Sequence, residues 1–190
     1  MTNHNLLIDN YIFYEKHHRN KLNILMHIIC IPLLVWTYAF FLTYIPFEYS
    51  LNSESFYLKP LVFNYTSIVS LFYIIYYLYL DYNIGKKWIP IFLFICYTTK
   101  LYKILYPETA LYNCIIVHIG SWIVQLLSHK FFEGNKPALL TGITQSFTIA
   151  PFFTLLEYLF MIGSRKDLYE KIQKRRKKDK VMEHIQLKKE

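Results

Sequence analysis

Three stretches of the chain, residues 28–47, 60–80 and 109–128, each run for about 20 residues without a lysine, arginine, aspartate or glutamate. That is the length an α-helix needs to cross the hydrocarbon core of a bilayer, which is about 30 Å thick. Only 18% of the residues are charged, against about 25% in a typical soluble domain. These features exclude a soluble globular enzyme, a disordered protein and a small disulfide-stabilised secreted domain.

Two further apolar segments are interrupted by polar residues. Residues 88–106 contain Lys100 and Lys103 near their end, where long side chains can reach the membrane interface. Residues 143–162 contain Pro151 and Glu157, and both a backbone break and a carboxylate are costly in lipid. The sequence therefore predicts an all-α, multi-pass transmembrane helical bundle with a re-entrant or interfacial fifth apolar segment at 143–162. About four crossings are expected, at 28–47, 60–80, 88–106 and 109–128.

The remaining segments are polar. Residues 1–23 have apolar side chains near helical spacing and predict an amphipathic helix against the membrane or the bundle. Residues 48–59, 81–87 and 129–142 predict turns and loops. We expect a membrane-embedded helical domain over 1–163 and a basic cytosolic tail over 164–190.

The net charge of +8 is concentrated at the C-terminus, where residues 165–190 hold 11 basic and 5 acidic side chains. Other basic residues flank the predicted crossings at 17–21, 86–87 and 130–136. Because cytosolic loops carry the excess of lysine and arginine, both termini are predicted to face the cytosol. The tail suits an anionic lipid surface. No nucleic acid is expected as a partner, since no aromatic residues are interleaved with the basic ones.

Five of the seven histidines lie near the predicted membrane segments. His17, His18 and His27 precede or enter the first crossing, and His118 and His129 lie on or just after the fourth. The predicted topology places all of these except the deeper His118 at the cytosolic face.

Helical spacing brings polar side chains together with two of these histidines. Asn23 and His27 are four residues apart, and so are Gln125, His129 and Glu133, so each set lies on one helix face. Such helix ends can form a metal pocket inside a bundle. An open set of imidazole and carboxylate ligands suits non-haem Fe(II), and a closed tetrahedral set suits structural zinc. The alternative is that these histidines are only amphipathic anchors.

Glu157 is a carboxylate within an apolar run. It either supports a metal-bound histidine from the outside or makes a hydrogen bond that packs helices together.

Two separated sequence elements resemble the fungal 2-hydroxy fatty acid dioxygenase family, whose members are small multi-pass proteins of the endoplasmic reticulum. The first element, H-x4-N-x3-H, falls on His18, Asn23 and His27. The second, W-I-x-Q-x3-H-x3-E-x3-P-A-L, falls on Trp122, Gln125, His129, Glu133, Pro137, Ala138 and Leu139. Shorter matches follow at Gln145, Ser146, Pro151, Phe153 and Glu157. The chain departs from the family where Lys21 replaces a usual proline and Ser128 a usual glycine.

The resemblance implies an Fe(II)-dependent α-oxidation, in which a 2-hydroxy long-chain fatty acid reacts with O2, loses its carboxyl carbon as CO2 and becomes one carbon shorter. In the family this reaction serves phytosphingosine breakdown. His18, His27 and His129 are then the expected iron ligands, and His17 and Glu133 are the next candidates. Gln125, Asn23 and Glu157 are expected to orient the ligands or the substrate. The expected location is the endoplasmic reticulum membrane, with the metal site toward the cytosol.

Two other functions remain open at this point. A non-catalytic lipid-binding or scaffold protein of the same fold would bind no iron. A di-iron desaturase or hydroxylase would need about eight histidines in paired boxes, and the sequence contains no such box.

Overall fold

A computed structural model describes residues 4–50, 55–134 and 143–187 of the chain. Most of these residues are helical, as predicted for an all-α bundle. The α-helices of this part of the chain, α1 to α7, are His4–Glu15, Lys21–Leu42, Tyr65–Leu80, Tyr82–Leu105, Ala110–Ser128, Ile143–Met161 and Lys166–Leu187. A π-helical turn, His129–Glu133, continues α5, and two short strands, β1 (Glu48–Ser50) and β2 (Val62–Asn64), follow α2.

The described helices include three that are long and apolar enough to cross a membrane: α2, α4, and α5 with its π-turn. Helices α6 and α7 are bent by 107° at their junction, so they form one broken span or a re-entrant loop. By length and composition, three of the described helices could therefore cross a membrane, or up to four with this bent pair, and α3 is a shorter apolar helix. The protein is an all-α multi-pass membrane bundle, as the sequence predicted.

The predicted crossing at 60–80 is shorter than expected. Its first residues form β2 and only Tyr65–Leu80, 16 residues, are helical. Asn64 ends the strand and caps α3, since its side chain accepts a hydrogen bond from the backbone N–H of Ser67. The β1–β2 pair is antiparallel, with Tyr49 opposite Phe63. This pairing was not predicted, and it closes the end of the bundle where α2 finishes, which we call the hairpin end.

The prediction of a loop over 81–87 is wrong, because Asp81 alone separates α3 from α4. Its backbone N–H donates to Tyr77 at the end of α3, and its side chain accepts from Ile84 N–H at the start of α4. Both of its carboxylate oxygens also accept hydrogen bonds from Arg165, at 2.9 and 3.0 Å. The backbone of Asp81 therefore ends one helix, and its buried carboxylate begins the next and holds the turn before α7.

The N-terminal helix is also shorter than the predicted amphipathic segment over 1–23, since α1 ends at Glu15. Helix α7 packs beside it, with an ion pair of 2.9 Å between Arg176 and Glu15. Leu168 and Ile172 of α7 are buried in the same core as Leu7 of α1. The first turns of the basic segment are thus packed in the fold, and the boundary at 163/164 stays a prediction.

Helices α3 and α4 meet at Gly85 with no room for a side chain. A Cβ atom there would lie 2.5 Å from the carbonyl carbon and oxygen of Tyr77. These are backbone atoms that cannot move aside without displacing the helix. We expect Gly85→Ala to lower the free energy of unfolding by about 1–3 kcal/mol, measured by equilibrium unfolding in detergent.

Gly120 provides the matched control, because a Cβ atom there meets no atom within 4 Å. Gly120→Ala should leave stability unchanged or raise it by up to about 1 kcal/mol, since alanine favours helix more than glycine does. Equal effects of the two substitutions would contradict the role given to Gly85.

Candidate metal centre

Three buried histidines meet at the end of the bundle opposite the hairpin. His18 comes from the link between α1 and α2, His27 from the second turn of α2, and His129 from the π-turn after α5. Nε2 of His27 lies 3.3 Å from Nε2 of His18 and 3.2 Å from Nε2 of His129. The three side chains are only 7%, 5% and 4% exposed. We call this group the three-histidine cluster.

Backbone carbonyls one helical turn earlier orient two of the rings. Nδ1 of His18 lies 2.9 Å from the carbonyl oxygen of Tyr14, and Nδ1 of His27 lies 2.9 Å from that of Asn23. A carbonyl oxygen only accepts, so Nδ1 must carry the hydrogen in both rings. Each neutral ring then directs the lone pair of Nε2 into the cluster. Burial, with the neighbouring His27 ring, lowers the pKa of His18 to about 2, so this ring stays neutral.

The arrangement fits a metal ion. Facing lone pairs repel one another, and a buried polar atom without a partner is costly. A cation bound to all three nitrogens would remove both problems. With metal–nitrogen bonds of about 2.0–2.1 Å, ligand nitrogens lie ~3 Å apart, close to the observed separations of 3.2 and 3.3 Å. Within the described ranges the group has three members, His18, His27 and His129, so it resembles an open site rather than a closed four-ligand site.

Glu133 lies outside the cluster and joins α5 to the start of α2. Its Oε1 accepts hydrogen bonds from the backbone N–H groups of Arg19 and Asn20, at 2.8 and 2.9 Å, and from the side-chain amide of Asn23 at 3.0 Å. The N-terminal end of a helix favours negative charge. This predicted ligand candidate is therefore placed where it fixes the geometry of His27 and His129.

Asn23 is fully buried and completes this connection. Its amide nitrogen donates to Glu133, its side-chain oxygen accepts from Ser128 Oγ at 2.6 Å, and its carbonyl holds His27. Asn23 therefore contacts a cluster histidine through its backbone and Glu133 and Ser128 through its side chain. The hydroxyl of Ser128 makes a contact that the glycine usual in the family could not make.

The π-turn places His129. An α-helix that changes to π-helix carries one extra residue in a turn, a feature frequent at functional sites. Gly134 ends this turn in the left-handed region, with φ of 67°, and its N–H donates to the carbonyl of His129. The sequence predicted a loop from residue 129, so the turn was missed.

The other predicted residues do not join the cluster. The half-buried ring of His17 packs against Phe13, with ring centroids 5.5 Å apart. Glu157 accepts a hydrogen bond of 2.6 Å from the hydroxyl of Tyr11, which links α6 to α1. Gln125 is buried one turn before His129. The motif residues Pro137, Ala138 and Leu139 and the side chains of Gln145 and Ser146 lie outside the described residues.

His118 links α5 to α2. The indole N–H of Trp122 donates to its Nε2 at 3.2 Å, so its Nδ1 carries the hydrogen and donates to Thr37 Oγ1 at 2.8 Å. The Thr37 hydroxyl in turn donates to the carbonyl of Leu33. Both ring nitrogens are thereby used, in agreement with the absence of a motif position for this residue.

A cavity of about 520 Å³ extends from the three-histidine cluster along α2. This volume lies within the range of small-molecule sites. Its wall follows α2 from His27 to Leu42, a distance of about 22 Å at 1.5 Å per residue. Apolar side chains, chiefly from α2 and α6, form most of the wall, and Ala39, Leu42 and Thr66 lie at the hairpin end.

Sequence reasoning missed Tyr14 as a site residue. Its ring stacks on His18, with centroids 4.0 Å apart and planes 11° from parallel, and it lines the cavity. Burial, with the negative charge of Glu157, raises the pKa of the Tyr14 phenol, so its hydroxyl keeps its proton. Only its spacing, four residues before His18, could have signalled it.

Comparison with known proteins agrees with the resemblance read from the sequence. The chain is 27% identical over 154 residues to the 2-hydroxy-palmitic acid dioxygenase MPO1 of Saccharomyces cerevisiae, covering 80% of this chain and 78% of the yeast protein. No solved structure matches the chain. A family described as 2-hydroxy-palmitic acid dioxygenase Mpo1-like matches residues 5–162, which include all three cluster histidines. The chain therefore belongs to this Mpo1-like family.

Proposed function

We propose that this protein is an Fe(II)-dependent dioxygenase that carries out α-oxidation of 2-hydroxy long-chain fatty acids. The observation that carries the proposal is the buried three-histidine cluster at one end of a largely apolar cavity. The name of the yeast relative supplies the substrate class and the type of reaction. Iron is preferred to zinc because zinc does not change its redox state, whereas a reaction with O2 requires electron transfer.

The overall reaction balances with O2 as the oxidant. A 2-hydroxy fatty acid and O2 give the fatty acid one carbon shorter, CO2 and water. The bond between the first two carbons breaks, the former hydroxyl carbon becomes the new carboxyl carbon, and O2 accepts four electrons. When bound, a ferrous ion supplies O2 activation and a Lewis acid for the oxygens of the substrate.

The protein's own groups hold and shield this site. His18, His27 and His129 would hold the metal through Nε2, while the Tyr14 and Asn23 carbonyls keep two rings in the required orientation. Gln125 lines the cavity one turn before His129 and would orient the substrate. The substrate's alkyl chain would lie along the apolar wall toward Ala39, which excludes water from the reacting end.

The proposed location is the endoplasmic reticulum membrane, with both termini and the metal site toward the cytosol. Exposed Arg19, Lys21 and Lys130 lie beside the three-histidine cluster, and cytosolic segments carry such basic excess. The substrate class supports a role in breakdown of the 2-hydroxy acids that phytosphingosine yields. A lipid-soluble substrate also explains why the cavity is built inside a membrane bundle.

Removing a cluster histidine should remove the metal and the activity. We expect His27→Ala and His129→Ala to lose bound iron and to reduce turnover of 2-hydroxyhexadecanoic acid at least about 100-fold, with expression retained. Iron is measured by elemental analysis of the purified protein, and the product is the acid with 15 carbons. His118→Gln should retain iron, because His118 lies outside the cluster.

The same measurements separate this function from its alternative. A lipid-binding or scaffold protein of this fold would contain no iron and would leave 2-hydroxyhexadecanoic acid unchanged under O2. Turnover retained in both histidine variants would contradict the assignment of the cluster.

Glu133 should act on the metal through the backbone it holds. Glu133→Gln removes the negative charge of the carboxylate that accepts three hydrogen bonds at the start of α2. We expect iron affinity to fall about 10-fold, the lower range for groups that support metal ligands from outside, in a competition titration with a chelator. Glu108→Gln, an exposed carboxylate between α4 and α5, should bind iron as the wild type does.

The depth of the cavity should limit substrate length. Ala39→Leu would add three carbon atoms at the hairpin end of the cavity, about 18 Å along α2 from His27. We expect kcat/KM for 2-hydroxyhexadecanoic acid to fall about 10-fold relative to that for 2-hydroxydecanoic acid, since an overfilled apolar site costs about 1–3 kcal/mol. An equal fall for both acids would contradict this placement of the alkyl chain.

A further inference from the structure

The hydroxyl of Tyr14 is a buried polar group without a hydrogen-bond partner in the part of the chain that the structure describes. The side chain is 8% exposed. Tyr11, one turn earlier on α1, is buried to a similar degree, but its hydroxyl donates to Glu157 at 2.6 Å. Since buried polar groups in proteins are nearly always paired, a buried donor left without a partner requires an explanation.

The position of this hydroxyl is fixed relative to the metal site. The Tyr14 ring stacks on the His18 imidazole at 4.0 Å and packs against Phe153 at 5.2 Å. The backbone of the same residue holds His18 through Nδ1. Tyr14 cannot rotate away from the cluster without disturbing a metal ligand, so its hydroxyl faces a constant environment.

A fatty acid carboxylate entering the cavity would find no cationic side chain, since neither lysine nor arginine is among its described lining residues. Apart from the metal ion of the proposed function, its binding partners would therefore be neutral donors. Three of the hydroxyls in the wall are already engaged: Thr66 donates to Ala39, Ser70 pairs with Cys96, and Tyr73 donates to Phe147. The Tyr38 hydroxyl also lines the cavity, but Tyr38 lies about 16 Å along α2 from His27.

Two donors remain beside the three-histidine cluster. One is the Tyr14 hydroxyl. The other is the Gln125 amide, which within the described ranges makes one long contact, of 3.5 Å, to the carbonyl of Ser121. Each lies four residues before a cluster histidine, His18 or His129, so each is one helical turn from a metal ligand.

We propose that the Tyr14 hydroxyl donates a hydrogen bond to the carboxylate of the 2-hydroxy fatty acid, and that Tyr14 is therefore a substrate-binding residue. This inference rests on the proposed function for the identity of the substrate. It adds a residue that neither sequence motif contains, and it assigns the carboxylate to a neutral donor rather than to a lysine or arginine.

Tyr14→Phe tests the assignment, because it removes only the hydroxyl oxygen. Binding is measured on full-length, Fe(II)-loaded protein in the absence of O2, so that affinity is read without turnover. We expect the affinity for 2-hydroxyhexadecanoic acid to fall about 10-fold or more, as for a lost hydrogen bond to a charged group. Iron content and melting temperature should not fall, because the ring stack on His18 remains.

A second ligand shows whether the Tyr14 hydroxyl binds the carboxylate or the 2-hydroxyl group of the acid. 1,2-Hexadecanediol has the same chain and 2-hydroxyl group but no carboxylate, so its affinity should change less than about two-fold. Loss of acid and diol affinity to the same degree would overturn the assignment to the carboxylate. Unchanged acid affinity, or loss of iron, would overturn the binding role of Tyr14.

Tyr11→Phe is the matched control on the same helix. It leaves Glu157 without its phenol partner, so it should lower the melting temperature while acid affinity remains at the wild-type value. Wild-type protein that binds the acid but does not convert it once O2 is admitted would contradict the proposed function. The affinities of Tyr14→Phe would still decide the role of Tyr14 in that case.

Discussion

The contact among three buried imidazole rings is the constraint on which this end of the bundle depends. The Nε2 atoms of these rings lie 3.2 and 3.3 Å apart, and a cation between them, with firm support behind the rings, would stabilise this arrangement. The support requires α1, α2 and the end of α5 to converge. The Glu133 carboxylate at the start of α2, the fully buried Asn23 and the π-turn are the means by which they do so.

The two ends of the cavity differ in polarity. The site end carries the three rings and the donors of Tyr14 and Gln125, whereas the hydroxyls of Thr66, Ser70 and Tyr73 farther along the wall are engaged in other hydrogen bonds. The rest of the wall is mostly apolar and has the length of a crossing helix. A long amphiphilic molecule would therefore bind in one direction only, with its polar end against the cluster. This asymmetry would bring the polar end of such a molecule, and not its alkyl chain, to the three histidines.

Much of the site could be predicted from the sequence, because helical spacing places Asn23 with His27 and Gln125 with His129, and antiparallel α2 and α5 bring these faces together. The partners of Glu133 could not be predicted, since every residue except proline has a backbone N–H group and the sequence does not show which of them is bound. Tyr14 could not be distinguished among 18 tyrosines. The prediction of a loop at 81–87 was wrong because Asp81 alone ends α3 and caps α4. The π-turn adds one residue to a helical turn, and the apolar periodicity of an α-helix does not predict such an insertion.

The link from Trp122 through His118 and Thr37 to Leu33 has a further consequence. The indole N–H of Trp122 can only donate a hydrogen bond, and the carbonyl of Leu33 can only accept one. Every hydrogen bond in the series therefore runs in the same direction, from Trp122 to Leu33. Neither imidazole nitrogen is left to receive or release a proton without breaking a bond. Although His118 lies on the wall of the cavity, it is therefore not available as an acid or a base while these hydrogen bonds persist.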